Sequence, residues 1–123
     1  MLLSINPEHV DNIVSGAKRY EFRKVRRRSD VNRIVIYATA PRKEAIGEVV
    51  IEAIIEDDVV NVRHLTKRAA GITYEFFQAY YKGKKKAIAY KLGELELFDE
   101  PKRLEDYGVR YAPQSFAYLD PTT

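Results

Sequence analysis

The spacing of apolar and polar residues changes several times near the start of the chain. An apolar run at 2–5 predicts a short buried strand. Helical spacing follows, with Asn6 as the expected N-cap and Gly16 as the residue that ends the helix in a left-handed conformation. Apolar residues then recur at every second position, where Tyr20 and Phe22 alternate with charged residues, and this predicts a half-buried strand.

Three more strands and two more helices are predicted in the rest of the chain. The strands cover 31–38, 45–60 and 87–97, and the helices cover 61–70 and 73–81. The second of these strands is one long bent strand or two consecutive ones, and a glycine in the last predicts a bulge. Such a pattern has more strands than one helix pair can cover. It predicts an α+β fold, a small mixed and mostly antiparallel β-barrel flanked by short helices.

The expected domain organisation is a single domain over 1–123, in which a C-terminal tail at about 99–123 packs on the body. Eight alternating residues should lie in one barrel core. These are Tyr20, Phe22, Ile34, Ile36, Val49, Ile51, Ile88 and Tyr90.

Composition narrows the class of protein. Hydrophobic content of 46% and charged content of 32% are typical of a globular protein. The chain has no cysteine, which excludes disulfides, thiolate metal sites and a cysteine nucleophile and is compatible with the cytoplasm. No apolar run approaches the roughly 20 residues of a membrane helix. The N-terminus has no basic region before an apolar core, so we expect neither a membrane association nor a signal peptide.

The net charge is only +3, but positive residues are concentrated at 18–28. At the start of this segment, Lys18, Glu21 and Arg23 form the pattern G-x-K-x-x-E-x-R together with the preceding Gly16. An arginine fork and a lysine point charge suit a phosphate, and the carboxylate can accept hydrogen bonds from a base or ribose. The same residues would also form an ordinary surface ion-pair network of little energetic value.

A basic run follows the motif, formed by Lys24, Arg26, Arg27 and Arg28. This run is a candidate nucleic-acid contact, but the same composition is also typical of a solvent-exposed loop that binds nothing. Thr39 is a candidate cleft hydroxyl, without a general base placed beside it.

Other candidate residues are few. His9 and His64 stand alone without ligand spacing, so no metal site is expected, and the chain has no nucleotide-cofactor motif. Tyr80 and Tyr81 are neighbours on a predicted helix, where one must be more exposed and is able to stack on a base.

The motif and its surroundings resemble the ASCH domain, a branch of the PUA-like superfamily. The opening Leu3-Ser4-Ile5-x-Pro7, the motif itself and the strand at 34–39 occur in the family's order over roughly 2–97. The resemblance implies a β-barrel of five or six strands with a cleft floored by Lys18, Glu21 and Arg23. It also implies RNA binding, in some members in a transcription or translation setting.

A few small members of the family are enzymes. Some resemble ribonucleases, and one bacterial type is an amidohydrolase of acylated cytidines in which the motif lysine works with a threonine and a distant glutamate. In this chain Glu21 replaces that threonine, and Ala70 lies near the position expected for the glutamate.

We therefore predict a module that binds RNA or a nucleotide in a positively charged cleft, with no cofactor. The alternatives are a small hydrolase of a modified nucleoside or of RNA, with Lys18 and Glu21 as its catalytic residues, and a protein-interaction module whose acidic tail binds a basic partner. Lys18 is expected to project from the mouth of the fold and to stay protonated. A neighbouring carboxylate favours its charged form, and Arg19 and Arg23 oppose this weakly from exposed positions.

Overall fold

Over the residues that the structure describes, the chain forms one six-stranded sheet that curls into a half-barrel, with three α-helices beside it. The structure, a computed structural model, describes residues 1–24, 32–113 and 116–119. Strand order across the sheet is β2-β5-β4-β3-β1-β6. The strands are β1 (Leu2–Ile5), β2 (Tyr20–Arg23), β3 (Arg33–Ala38), β4 (Glu44–Asp58), β5 (Lys86–Lys102) and β6 (Phe116–Ala117).

The three α-helices are α1 (Pro7–Ser15), α2 (Val59–Thr66) and α3 (Tyr74–Tyr80), and a 3₁₀ turn covers Leu104–Tyr107. Only β1 and β3 pair in parallel; the other described strand pairs are antiparallel. The predicted α+β class and mixed, mostly antiparallel sheet are confirmed. Within the described residues, no helix has the length and apolar content needed to cross a membrane.

Side-chain caps fix the ends of the helices. The side chain of Asn6 accepts a hydrogen bond from the Glu8 amide at 2.9 Å, and Gly16 ends α1 with φ of 87°. Thr73 caps α3 by accepting from the Phe76 amide at 3.1 Å. Helix α2 begins at Val59, two residues before the prediction, because Asp58 accepts from the Asn61 amide and ends β4 there.

Strands β4 and β5 form the long antiparallel pair around which the sheet bends. Register shifts occur where Val49, Ile51 and Ala53 face residues 91–95, next to Gly93 as predicted. Strand β5 continues to Lys102, beyond the predicted end at 97, so the first residues assigned to the tail belong to the sheet.

The interior of the half-barrel is an apolar cluster that includes Leu3, Ile36 and Tyr90, and these three are almost fully buried. The prediction of a single core was wrong in one respect. Phe22, with Tyr20 partly buried against it, belongs to a second cluster between the sheet, α2 and α3. Strand β2 therefore has one face towards these helices and the other towards the half-barrel interior, which positions the residues discussed next.

Candidate functional site

Three of the predicted residues, Lys18, Glu21 and Arg23, line one pocket of about 130 Å³. Arg23 Nη2 donates to the Ser4 carbonyl at 3.3 Å, a contact from β2 to β1 across the open side of the curled sheet. Helices α1 and α3 complete the walls. The pocket is also lined by Ser4, Ile5, Asn6, His9, Phe22, Ile72, Phe76 and Tyr80.

Lys18 is buried, and only 3% of its surface is exposed. Its Nζ donates to the Ala70 carbonyl at 3.0 Å and lies 5.0 Å from the centre of the Phe22 ring. The backbone of Gly71, at φ of 70°, packs directly on Lys18, because a Cβ at Gly71 would lie 2.3 Å from the Cβ of Lys18. The prediction that this lysine projects from the mouth of the fold was therefore wrong.

Burial lowers the pKa of Lys18 below its ordinary value. The Glu21 carboxylate raises this pKa again, and the Arg23 guanidinium lowers it. Arg23 is not an exposed residue as predicted, since its side chain is only 12% exposed. Desolvation, which the sequence does not reveal, is thus the largest influence on this lysine.

Glu21 and Arg23 lie on the face of β2 that is turned towards the half-barrel interior. They pair across the sheet with Tyr90 and Ile88, which are both members of the interior cluster. Arg23 Nη2 lies 3.9 Å from Glu21 Oε1, which is an ion-pair distance longer than a hydrogen bond. Glu21 Oε2 is buried and has no hydrogen-bond partner within the described residues.

Two more polar atoms of the pocket wall lack a hydrogen-bond partner in the described part of the chain. They are the Oγ of Ser4 and the Nδ1 of His9. Burial, followed by the charge of Lys18, lowers the pKa of His9, while Glu21 raises it, so the imidazole is neutral at pH 7. On sequence alone His9 is considered only as a metal ligand, and the structure adds that the first turn of α1 places it in the same pocket as Lys18.

Aromatic side chains from α3 form one wall of the pocket. Phe76 meets the His9 ring edge-on at a centroid distance of 5.4 Å. Tyr80 also lines the pocket, and Lys24 Nζ lies 4.6 Å from the centre of its ring. Of the two candidate stacking tyrosines, Tyr81 is buried and its hydroxyl donates to main-chain carbonyls. Tyr80 is therefore the one that reaches the pocket.

The other residues predicted to bind the ligand are not among the described residues that line this pocket. Thr39 is partly buried and its amide donates to the Ile5 carbonyl, but it does not line the pocket. Arg26, Arg27 and Arg28 lie outside the described residues. Among the residues that are described, no group of three or more His, Asp or Glu side chains is arranged to hold a metal ion.

The pocket therefore combines two cations, a neutral imidazole, a hydroxyl, aromatic rings and one carboxylate whose Oε2 has no hydrogen-bond partner among the described residues. Buried polar atoms usually have partners, and those without one frequently have a functional role. A flat ligand with hydrogen-bonding edges fits these groups, because the rings offer stacking surfaces and the polar atoms offer partners.

Comparisons with known proteins identify the family of the chain. The sequence profile of the ASCH domain matches residues 3–98. A Zymomonas mobilis protein named ASCH domain-containing ribonuclease is 37% identical over 92 residues, covering 74% of this chain and 62% of that protein. The crystal structure of ASCH from Zymomonas mobilis superposes with a TM-score of 0.88 at 32% identity, covering 98% of this chain and 87% of that chain.

A second relative is the large ribosomal subunit protein uL22 of Ureaplasma parvum, 26% identical over 120 residues. That match covers 97% of this chain and 39% of the relative. The chain thus spans 39% and 62% of the lengths of these two relatives.

Proposed function

Because the chain belongs to the ASCH domain family, we propose that it binds RNA or a nucleotide in the pocket lined by Lys18, Glu21 and Arg23. The observation that supports this most directly is that buried charged groups line one aromatic-walled pocket together with polar atoms that have no hydrogen-bond partner among the described residues. The similar Zymomonas mobilis protein is named a ribonuclease, which points to RNA as the class of ligand.

Each group has a physical role in this proposal. Lys18 and Arg23 supply positive charge in a desolvated setting, where an interaction with a polar ligand is stronger than at the surface. Glu21 accepts from an N–H or hydroxyl of the ligand. Phe76 and Tyr80 provide ring faces for stacking, which is worth about 1–3 kcal/mol per base in single-stranded nucleic acid complexes.

The basic run extends the site beyond the pocket. Lys24 is exposed beside Tyr80 and immediately precedes the segment containing Arg26, Arg27 and Arg28. We assign the RNA backbone to these four cations. Action in the reducing cytoplasm, in a regulatory role in transcription or translation, is part of the same proposal.

The test measures binding of a fluorescent single-stranded RNA by anisotropy. Lys18→Ala should weaken binding by about tenfold or more, because it removes a charged hydrogen-bond donor from a buried site. The control is Lys91→Ala, which removes the same charge from an exposed position on β5 outside the pocket. Equal losses in the two variants would show that binding is only non-specific attraction to positive charge.

Salt dependence tests the basic run separately. Affinity should fall with salt at a log–log slope of about −0.7 per phosphate contact on single strands. Replacing Arg26, Arg27 and Arg28 by alanine should flatten the slope. An unchanged slope would remove these arginines from the interface.

A second candidate function is RNA cleavage, favoured by the presence of Glu21 and a neutral His9 in the pocket with Lys18. A carboxylate or neutral imidazole can take the proton from a ribose 2′-hydroxyl as it attacks the phosphodiester, and a cation can stabilise the charge that develops. Amide hydrolysis is less well supported, because two residues expected of the amidohydrolase type are absent. Glu21 occupies the position of the threonine, and Ala70, near the position expected for the glutamate, provides only a main-chain carbonyl to Lys18.

Turnover separates cleavage from binding. If the protein only binds, neither the wild type nor Glu21→Gln should degrade RNA, and the variant should keep most of its affinity for RNA of mixed sequence through the cations and rings that remain in the pocket. If wild-type protein degrades RNA catalytically and Glu21→Gln abolishes degradation while still binding, the protein is a ribonuclease.

A further inference from the structure

We propose that the pocket receives a nucleobase and selects guanine, with the Glu21 carboxylate accepting from its N1–H and N2–H groups. This inference rests on the proposed function and specifies which part of the RNA enters the pocket. It starts from the charge of Glu21 and from its Oε2, which has no hydrogen-bond partner among the described residues.

A phosphate is a poor occupant of this pocket. Glu21 is only 8% exposed, and its Oε2 is buried without a hydrogen-bond partner among the described residues. A phosphate next to it would bring two anions together in a desolvated setting, where repulsion is strong. An N–H donor on the ligand would instead satisfy the free oxygen.

The size and walls of the pocket suit a base. The pocket has a volume of about 130 Å³, which is below the range of about 300–1,000 Å³ typical of pockets for drug-sized ligands and suits a single flat ring system such as a base. Phe76 and Tyr80 line the pocket, so their rings are close enough to pack against a flat ligand. The sugar and phosphate would then remain outside, next to Lys24.

The pairing edge of guanine matches the arrangement of charges. A carboxylate is acceptor-only and binds best to two adjacent N–H donors. Guanine provides such a pair in N1–H and N2–H, followed by the acceptor O6, which Lys18 or Arg23 can satisfy. Both Glu21 oxygens are able to take part, because the 3.9 Å separation of Oε1 from Arg23 Nη2 is longer than a hydrogen bond.

The other bases match less well. Adenine presents its N1 acceptor at the centre of this edge, opposite the carboxylate. Uracil has one central N–H between two carbonyl oxygens, which would face the carboxylate. Cytosine provides only its amino group as a donor on the edge. A site built to hydrogen-bond a particular edge discriminates strongly, because the wrong ligand leaves buried polar groups unpaired.

The test is competition by nucleoside monophosphates against a labelled RNA of mixed sequence bound to the full chain. GMP should compete at about a tenfold lower concentration than AMP, CMP or UMP, the discrimination typical of a good bidentate contact to a base. IMP, which has the guanine edge without the 2-amino group, should fall between GMP and AMP. Inorganic phosphate should compete least.

Glu21→Gln provides the matched variant, since it keeps the shape of the side chain. Its amide offers a donor as well as an acceptor, so the preference for GMP over AMP should shrink or reverse. Glu52→Gln, an exposed glutamate outside the pocket, should leave the order unchanged.

Several outcomes would overturn the assignment while RNA binding stands. They are equal competition by GMP and AMP, stronger competition by CMP or UMP, equal competition by phosphate, and a GMP preference that survives in Glu21→Gln. If the labelled RNA does not bind at all, the proposed function fails. In that case direct NMR titration of the wild-type chain with GMP and AMP decides the guanine assignment, which is wrong if Glu21 and Tyr80 resonances do not respond selectively to GMP.

Discussion

The interior of the half-barrel and the pocket at its open side share strands but differ in what their buried side chains contact. In the interior, Leu3 and Ile36 are fully buried among other apolar residues. In the pocket, Lys18 and Glu21 are almost as buried, yet Glu21 Oε2 has no hydrogen-bond partner in the described part of the chain. Burial stabilises the first region, whereas in the second it carries a desolvation cost.

This difference indicates separate roles. Residues of the interior should determine stability, and residues of the pocket should determine binding at some cost to stability, as is common for functional sites. Four experiments test this separation.

The largest effect is expected from Ile36→Ala in the interior. It removes buried apolar atoms and leaves a cavity, so the free energy of unfolding should fall by about 2–5 kcal/mol. Urea denaturation measures this loss, and Leu97→Ala, at a 54% exposed position, is the control. RNA affinity of the folded fraction should not change. A specific loss of affinity would mean that the two regions are not separate.

Gly71→Ala should reduce both the stability of the fold and the affinity for RNA. The new Cβ would clash with Lys18 and the residue would be strained at φ of 70°, so we expect a loss of about 1–3 kcal/mol in stability and weaker RNA binding. Gly83→Ala is a matched control, since Gly83 has φ of 79° but no atom within 4 Å of an added Cβ. That variant should lose stability and retain binding. If Gly71→Ala binds RNA normally, the position of Lys18 is not critical.

Lys18→Met should change the free energy of unfolding less than Ile36→Ala or Gly71→Ala does, and should not lower it. The substitution removes a buried charge and retains an unbranched side chain, so the free energy of unfolding should stay equal or rise by about 0.5–2 kcal/mol while RNA binding is lost. Thermal unfolding and anisotropy measure the two effects, with Lys91→Met as control. A clear loss of stability would show that the hydrogen bond to Ala70 outweighs the desolvation of the ammonium.

The smallest expected effect is the pH dependence of the difference in free energy of unfolding between the wild type and Lys18→Met. Because burial lowers the pKa of Lys18 in the folded state below 10.5, the folded protein binds fewer protons than the unfolded chain between these pKa values. The free energy of unfolding of the wild type should therefore rise relative to that of Lys18→Met as the pH increases from the pKa of Lys18 in the folded state towards 10.5. Denaturation of both proteins from neutral pH upwards would measure this. Parallel curves would contradict the proposed cost of burying this lysine.

Local sequence was sufficient to predict much of the architecture. The order of strands and α-helices was correct up to β5, because each element has its own periodicity and end signals, such as Asn6, Gly16 and Thr73. The proximity of Glu21 and Arg23 also followed from local geometry, since alternate residues of a strand share a face. The motif thus identified the floor of the pocket.

The walls of the pocket could not be predicted in this way. Phe76 and Tyr80 lie more than 50 residues from Lys18, His9 lies on the preceding helix, and no local pattern distinguishes the three from ordinary helix residues. They come together because α1 and α3 both border the pocket that contains Lys18.

The sequence by itself determined the order of strands and α-helices up to β5, the family resemblance and the cluster of charges at 18–23, because all of these depend on neighbouring residues. Tertiary structure alone decided that Lys18 is buried. That burial depends on Ala70 and Gly71, which the chain brings to Lys18 from 52 and 53 residues away. A charge has a different pKa and a different chemistry in a desolvated pocket than on an exposed loop, and desolvation is set by how distant segments pack.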